Sequence, residues 1–173
     1  GETGFFATAR IFTHSSDENV DIEPEDQAMA IKSLKTVAGK SFEKSPIPEV
    51  VWADAKEIAS RLINLLKDET RPLAFHPTLK GLGILDACHP DLIAGSTLIE
   101  IKTSKDGFRE EDFRQLFIYG FLANRNGLEI HQLCLLNPRT AQRIYLSHDE
   151  LCQSLGGESA TAVYGRFERL ILR

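Results

Sequence analysis

Three ionisable residues, Asp91, Glu100 and Lys102, interrupt the apolar stretch "HPDLIAGSTLIEIKTSK" (89–105) where a strand should be packing. Two carboxylates and an amine can hold a divalent cation and handle a water beside it, chemistry suited to hydrolysing a charged ester. Whether they meet depends on register. Gly95-Ser96 reads as a two-residue turn of the Gly-first kind between "DLIA" and "TLIEIK". With those residues as the loop, Ala94 faces Thr97, Ile93 faces Leu98, Leu92 faces Ile99, and Asp91 faces Glu100. Directly opposed side chains share a face, with Cβ atoms about 4.5–5.5 Å apart, and like charges there destabilise a sheet. A magnesium ion with oxygen ligands at about 2.0–2.1 Å relieves that repulsion. Strand alternation puts Lys102 on the same face. Leu92, Ile99 and Ile101 are expected on the other face, in the core.

The elements that must position this ribbon follow from the pattern around it. Residues 1–23 are irregular and acidic, although "ATARIFT" could form an edge strand, and "GETG" reads as an expression remnant. A single domain is expected over 24–173. A first helix is predicted from Pro24, with Ile31, Leu34 and Val37 at helical spacing, ending at Gly39. A second begins at Pro48, with Val51, Ala55, Ile58, Leu62 and Leu65 as its apolar stripe and Asp54, Glu57, Arg61 and Asn64 opposite. "RPLAFHPTLKGLG" reads as loop. Beyond the ribbon, "FREEDFRQLFIYGFLANRNG" carries acids in its first turn and apolar residues on nearly every side, which predicts a helix buried on more than one face. "EIHQLCLL" predicts a strand turned by "NPRT" into "AQRIYLS". Ser147 with Glu150 forms a capping box for a short helix closing at Gly156-Gly157, and "AVYGRFERLILR" is a last helix or strand. This order predicts a mixed α/β domain.

Composition narrows the setting. The chain has 173 residues, a formal net charge of -5 and no apolar run long enough to cross a bilayer. That charge argues against a surface coated nonspecifically with nucleic acid. Lys102, Lys105, Arg109, Arg114 and Arg125 alternate with acids, which makes a mixed surface. Cys88, Cys134 and Cys152 are far apart, odd in number and free of CxxC spacing. A zinc site and a disulfide framework are not expected, and a reducing, cytoplasmic location is.

"PDLIAGSTLIEIK" resembles the signature of the PD-(D/E)XK nuclease superfamily: Pro90-Asp91, eight residues, then Glu100-Ile101-Lys102. Gln115 and Tyr119 on the following helix resemble the QxxxY element of its RecB-like branch. The resemblance covers roughly Gly81 to Leu136. It implies a restriction-endonuclease-like αβββαβ core, a mixed central sheet flanked by helices. It also implies magnesium- or manganese-dependent hydrolysis of phosphodiester bonds in DNA, a deoxyribonuclease or endonuclease activity. Asp91 and Glu100 would be the metal ligands, aided by the Ile101 carbonyl, with Lys102 positioning the attacking water. Gln115 and Tyr119, one turn apart, would line the site or touch the nucleic acid.

Four further residues enter as candidates. Glu57 is the best further acid on the first core helix, and His76 in "FHPTLK" is the nearest counterpart of the branch's upstream histidine. His89 falls opposite Lys102 in the same register. Asp86 competes with Asp91 as first acid but lacks an acid across the turn. DNA is the expected partner, with a homodimer or a larger nucleoprotein assembly matching the need to cut two strands. The competing expectation is a non-catalytic nucleic-acid or protein-binding module on the same fold.

Overall fold

The computed structural model describes residues 49–69 and 72–173, together with Glu25 and Ala28. The predicted edge strand "ATARIFT" lies outside the described residues, as does all of the helix expected over 24–39 except those two positions. The chain divides into two compact units, Gly1–Asp68 and Glu69–Arg173. Within the first, helix α1 (Glu49–Leu66) starts directly after Pro48 with an acid in its first turn. Its buried stripe is Ala55, Ile58, Ala59, Leu62, Ile63 and Leu66, whereas Val51 is 47% exposed. The apolar face therefore lies further toward the C-terminus than the predicted stripe.

The second unit is built on a five-stranded mixed sheet in the order β1-β2-β3-β4-β5. The strands are β1 (Leu73–Phe75), β2 (Leu92–Ala94), β3 (Thr97–Ile101), β4 (Gln132–Asn137) and β5 (Gln142–Leu146). β3 and β4 pair in parallel and the remaining neighbours pair antiparallel. A parallel pair needs a crossover, and helix α2 (Glu110–Arg125) supplies it. Helices α3 (His148–Gly156) and α4 (Ala160–Ile171) complete the unit. None of the described helices is long and apolar enough to cross a membrane.

Register follows the turn chemistry. Gly95 has φ 56° while Ser96 stays out of the left-handed region, so the first turn position alone needs the freedom glycine has. The resulting pairs are Leu92 with Ile99, Ile93 with Leu98 and Ala94 with Thr97, as predicted. β1 is a strand that the sequence reading took for loop. It is three residues long and closely flanked by Pro72 and Pro77, which hide its alternation. The following segment also folds back on itself, with Leu79 and Cys88 exchanging backbone hydrogen bonds of 2.9 and 3.0 Å.

The main core lies on the face of the sheet that carries Glu100, contrary to expectation. Leu98, Leu133 and Leu135 pack there with Leu116, Phe121 and Leu122 of α2, Leu151 of α3 and Tyr164 of α4. Each such side chain contributes about 1.5–3 kcal/mol on burial. Gly120 brings α2 down onto the sheet, since a Cβ there would stand 2.9 Å from Leu133 Cδ1. Phe121 and Tyr164 meet edge to face at 5.4 Å. Leu92 and Ile99 point to the opposite side and are themselves fully buried. Both faces of β3 are thus covered, which is the usual condition of a strand in a parallel pair.

Candidate functional site

Burying that face puts Glu100 in an unusual position: the residue is only 5% exposed. Its Oε1 accepts from Lys102 Nζ at 2.8 Å. Its Oε2 is buried with no hydrogen-bond partner. Asp91 sits just before β2, one step past the Leu92–Ile99 pair, and its Oδ2 accepts from the Ile101 backbone N–H at 2.7 Å. The side chain thereby takes the place of a ladder carbonyl at the end of the hairpin. The predicted trio is together, on one face.

Gln115 and Tyr119 join it. Lys102 Nζ donates to Gln115 Oε1 at 2.6 Å, and Gln115 Nε2 donates to Tyr119 OH at 2.8 Å. Because Tyr119 takes the amide N–H, Gln115 presents its oxygen to the lysine. A third acceptor, Asp112 Oδ1, stands 3.5 Å from Lys102 Nζ. Asp112 Oδ2 also accepts from the Arg109 backbone N–H at 2.8 Å, so one carboxylate both ties off the start of α2 and borders the amine. Asp112 was missed in the sequence; its signal was its place three residues before Gln115, on the same helical face.

Burial pushes Glu100 up from the ordinary 4.5 to about 8, and the charge of Asp91 adds to this while Lys102 opposes it. Two ionised carboxylates have no proton to exchange, which leaves Oε2 alone; a proton on Glu100 would be shared with Asp91. For Lys102, burial favours the neutral amine, but the charge and hydrogen bond of Glu100, with Asp112 and Asp91, outweigh it and raise the pKa. The group stays an ammonium at neutral pH. Tyr119 is pushed up to about 12 by burial and by Glu100, and the Cys88 thiol to about 11 by the same two causes. Cys88 is therefore a protonated neighbour of the site, and all three cysteines are free.

The remaining candidates fall out differently. His76 follows β1 with φ 48°; its N–H donates to the Asp91 carbonyl at 2.9 Å and its Nε2 lies 3.9 Å from Asp91 Oδ1. β1, unread in the sequence, is what delivers it there. His89 is exposed and meets Thr78 Oγ1 at 3.3 Å instead of lying opposite Lys102. The Leu79–Cys88 bridge turns it away. Asp86 is exposed. Glu57 is exposed on α1 and paired with Arg61.

Among the described residues no group of three or more His, Cys, Asp or Glu side chains gathers to hold a metal. Magnesium asks for less, one or two carboxylates with water and substrate oxygens. Asp91 and the unmet Oε2 of Glu100 fit that habit. No family model, curated protein or solved structure matches the chain.

Proposed function

We propose that the Glu69–Arg173 unit carries a metal-dependent nuclease site of the PD-(D/E)XK kind, hydrolysing phosphodiester bonds in DNA with magnesium or manganese. The observation that carries this reading is the buried Oε2 of Glu100, unpartnered and beside a second carboxylate. A buried polar atom without a partner is rare and asks for a reason; an ion shared with Asp91 is one. Within that unit the order β1-β2-β3-α2-β4 supports the reading, since it follows the βββαβ part of the αβββαβ order that the resemblance implies.

Asp91, Glu100 and the Ile101 carbonyl would hold the ion. When bound, it supplies Lewis acidity at the phosphate and lowers the pKa of water. Lys102 stays protonated, so it orients the water and offsets charge at phosphorus rather than removing a proton. Gln115 holds the ammonium in place, and Tyr119 fixes which end of Gln115 faces it.

A second reading, a non-catalytic module binding nucleic acid or a protein partner, draws on the net charge of -5 and on the two-acid donor set. Magnesium titration followed by calorimetry, run beside a plasmid-nicking assay, separates the two. The nuclease reading expects EDTA-sensitive nicking and a magnesium heat that Asp91→Asn removes. Cleavage that survives in Asp91, Glu100 and Lys102 variants alike would refute it.

A further inference from the structure

A groove of about 650 Å³ opens between the segment after β3 and the β4–β5 turn. Phe108, Phe113, Gln142 and Ile144 line it, with Asp106 and Gly107 at its edge. Register places it relative to the acids. Glu100 pairs with Leu135 on β4, and Leu135 pairs with Ile144 on β5. Paired residues share a face, so Ile144 and Gln142 stand on the Glu100 side, two strands away. Two strand spacings are about 10 Å, a distance that one nucleotide covers between its phosphate and the far edge of its base. At the other wall, Phe113 is the chain neighbour of Asp112, whose carboxylate borders Lys102.

The groove is held open by its own scaffold. Asn137, fully buried, donates to the Ser104 carbonyl at 2.8 Å, and Arg139 Nε donates to the Thr103 carbonyl at 2.8 Å. These bonds tie the two walls together at their base. The lining combines ring surface with donors. Gln142 Oε1 is taken by Thr140 at 3.1 Å, so its amide N–H groups are the end offered to a ligand. Arg143, between Gln142 and Ile144 in β5, alternates to the opposite face, where its guanidinium lies 4.0 Å from Glu69, so it gives the groove only its backbone. Lys105, exposed on the same segment, has no ion pair among the described residues.

We propose that this groove binds an unpaired nucleobase next to the scissile phosphate, stacked on Phe108 or Phe113 and met at its edge by the Gln142 amide. The substrate class is then single-stranded or frayed nucleic acid, because a base held in a duplex stack cannot enter. This rests on the nuclease reading for its phosphate but not for its base. Aromatic stacking is a general means by which proteins hold unpaired bases without regard to sequence.

The experiment measures binding by fluorescence anisotropy at one fixed low salt, in EDTA so that nothing is cut. The probes are a labelled oligothymidine, its abasic counterpart with the same number of phosphates, and a blunt duplex of equal length. The full chain should prefer the oligothymidine to both others. Phe113→Leu, which keeps the apolar packing, and Gln142→Ala, at an exposed position, should each weaken it about tenfold while leaving abasic binding unchanged. Equal affinity for the abasic strand, or variants that bind like the parent, would overturn the proposal. Cleavage of the same probes with magnesium separates the claims: base-dependent binding without cleavage sinks the nuclease reading alone. Cleavage indifferent to strandedness and to both variants sinks the groove alone.

Discussion

Two buried polar clusters border the same core, and they differ in how completely their atoms are paired. Around His148 every atom is matched: Nε2 donates to the Ile130 carbonyl at 3.0 Å, and Nδ1 accepts from Tyr164 OH at 2.6 Å. Burial lowers the His148 pKa and raises that of Tyr164, so both stay neutral. Around Glu100 the groups are ionisable, and one carboxyl oxygen has no partner. The first cluster can stabilise the fold because nothing is left over. The second holds a buried acid at a disadvantage that only an ion, a proton or a ligand can relieve. Completeness marks structure here, and the unmet atom is the one that the proposed ion would satisfy.

The comparison breaks most sharply on activity. Asp91→Asn, Glu100→Gln and Lys102→Met should each lower magnesium-dependent DNA cleavage by about 10²–10⁴-fold, with the fold intact by circular dichroism. His148→Ala should leave cleavage per folded molecule unchanged. It should instead cost about 1–3 kcal/mol in urea unfolding, because the Ile130 carbonyl and the Tyr164 hydroxyl are left buried and unpaired. If His148→Ala abolished cleavage without loss of stability, the contrast would be wrong.

A smaller effect has opposite signs in the two clusters. Between 4.5 and about 8 the folded protein holds a proton on Glu100 that the unfolded chain has released. Stability from this group is therefore fully present below 4.5 and is lost as pH rises toward 8. His148 has a folded pKa below its ordinary 6.5, so its contribution is full above 6.5 and is lost as pH falls below it. Across pH 6.5–8, in EDTA, the urea midpoint should fall with rising pH, and Glu100→Gln should flatten that slope. A slope unchanged in Glu100→Gln would place the titration elsewhere. The smallest change is local: Ser147→Ala removes the cap that accepts from Glu150 N–H at 3.1 Å. It should cost about 1 kcal/mol, seen as a lower melting temperature with cleavage untouched.

Several of these features are legible in the chain itself because they depend on neighbours in sequence. The Gly95-Ser96 turn sets the Asp91, Glu100 and Lys102 face through a period of two. Gln115 and Tyr119 share a face through the helical period. Ser147 and Glu150 form their box within one turn. Each is a local rule with a fixed repeat, so spelling suffices.

What the sequence alone determined, then, is the hairpin register, the ends of α2 and α3, and which side chains of the hairpin and α2 share a face. Only the tertiary structure decided that α2 covers the acid face, that β1 carries His76 to Asp91, that Asp112 borders Lys102, and that His89 turns away to Thr78. The reason is physical: strand and helix periods act over a few residues, whereas burial, and with it the raised pKa of Glu100, is set by segments distant in the chain that pack in one place.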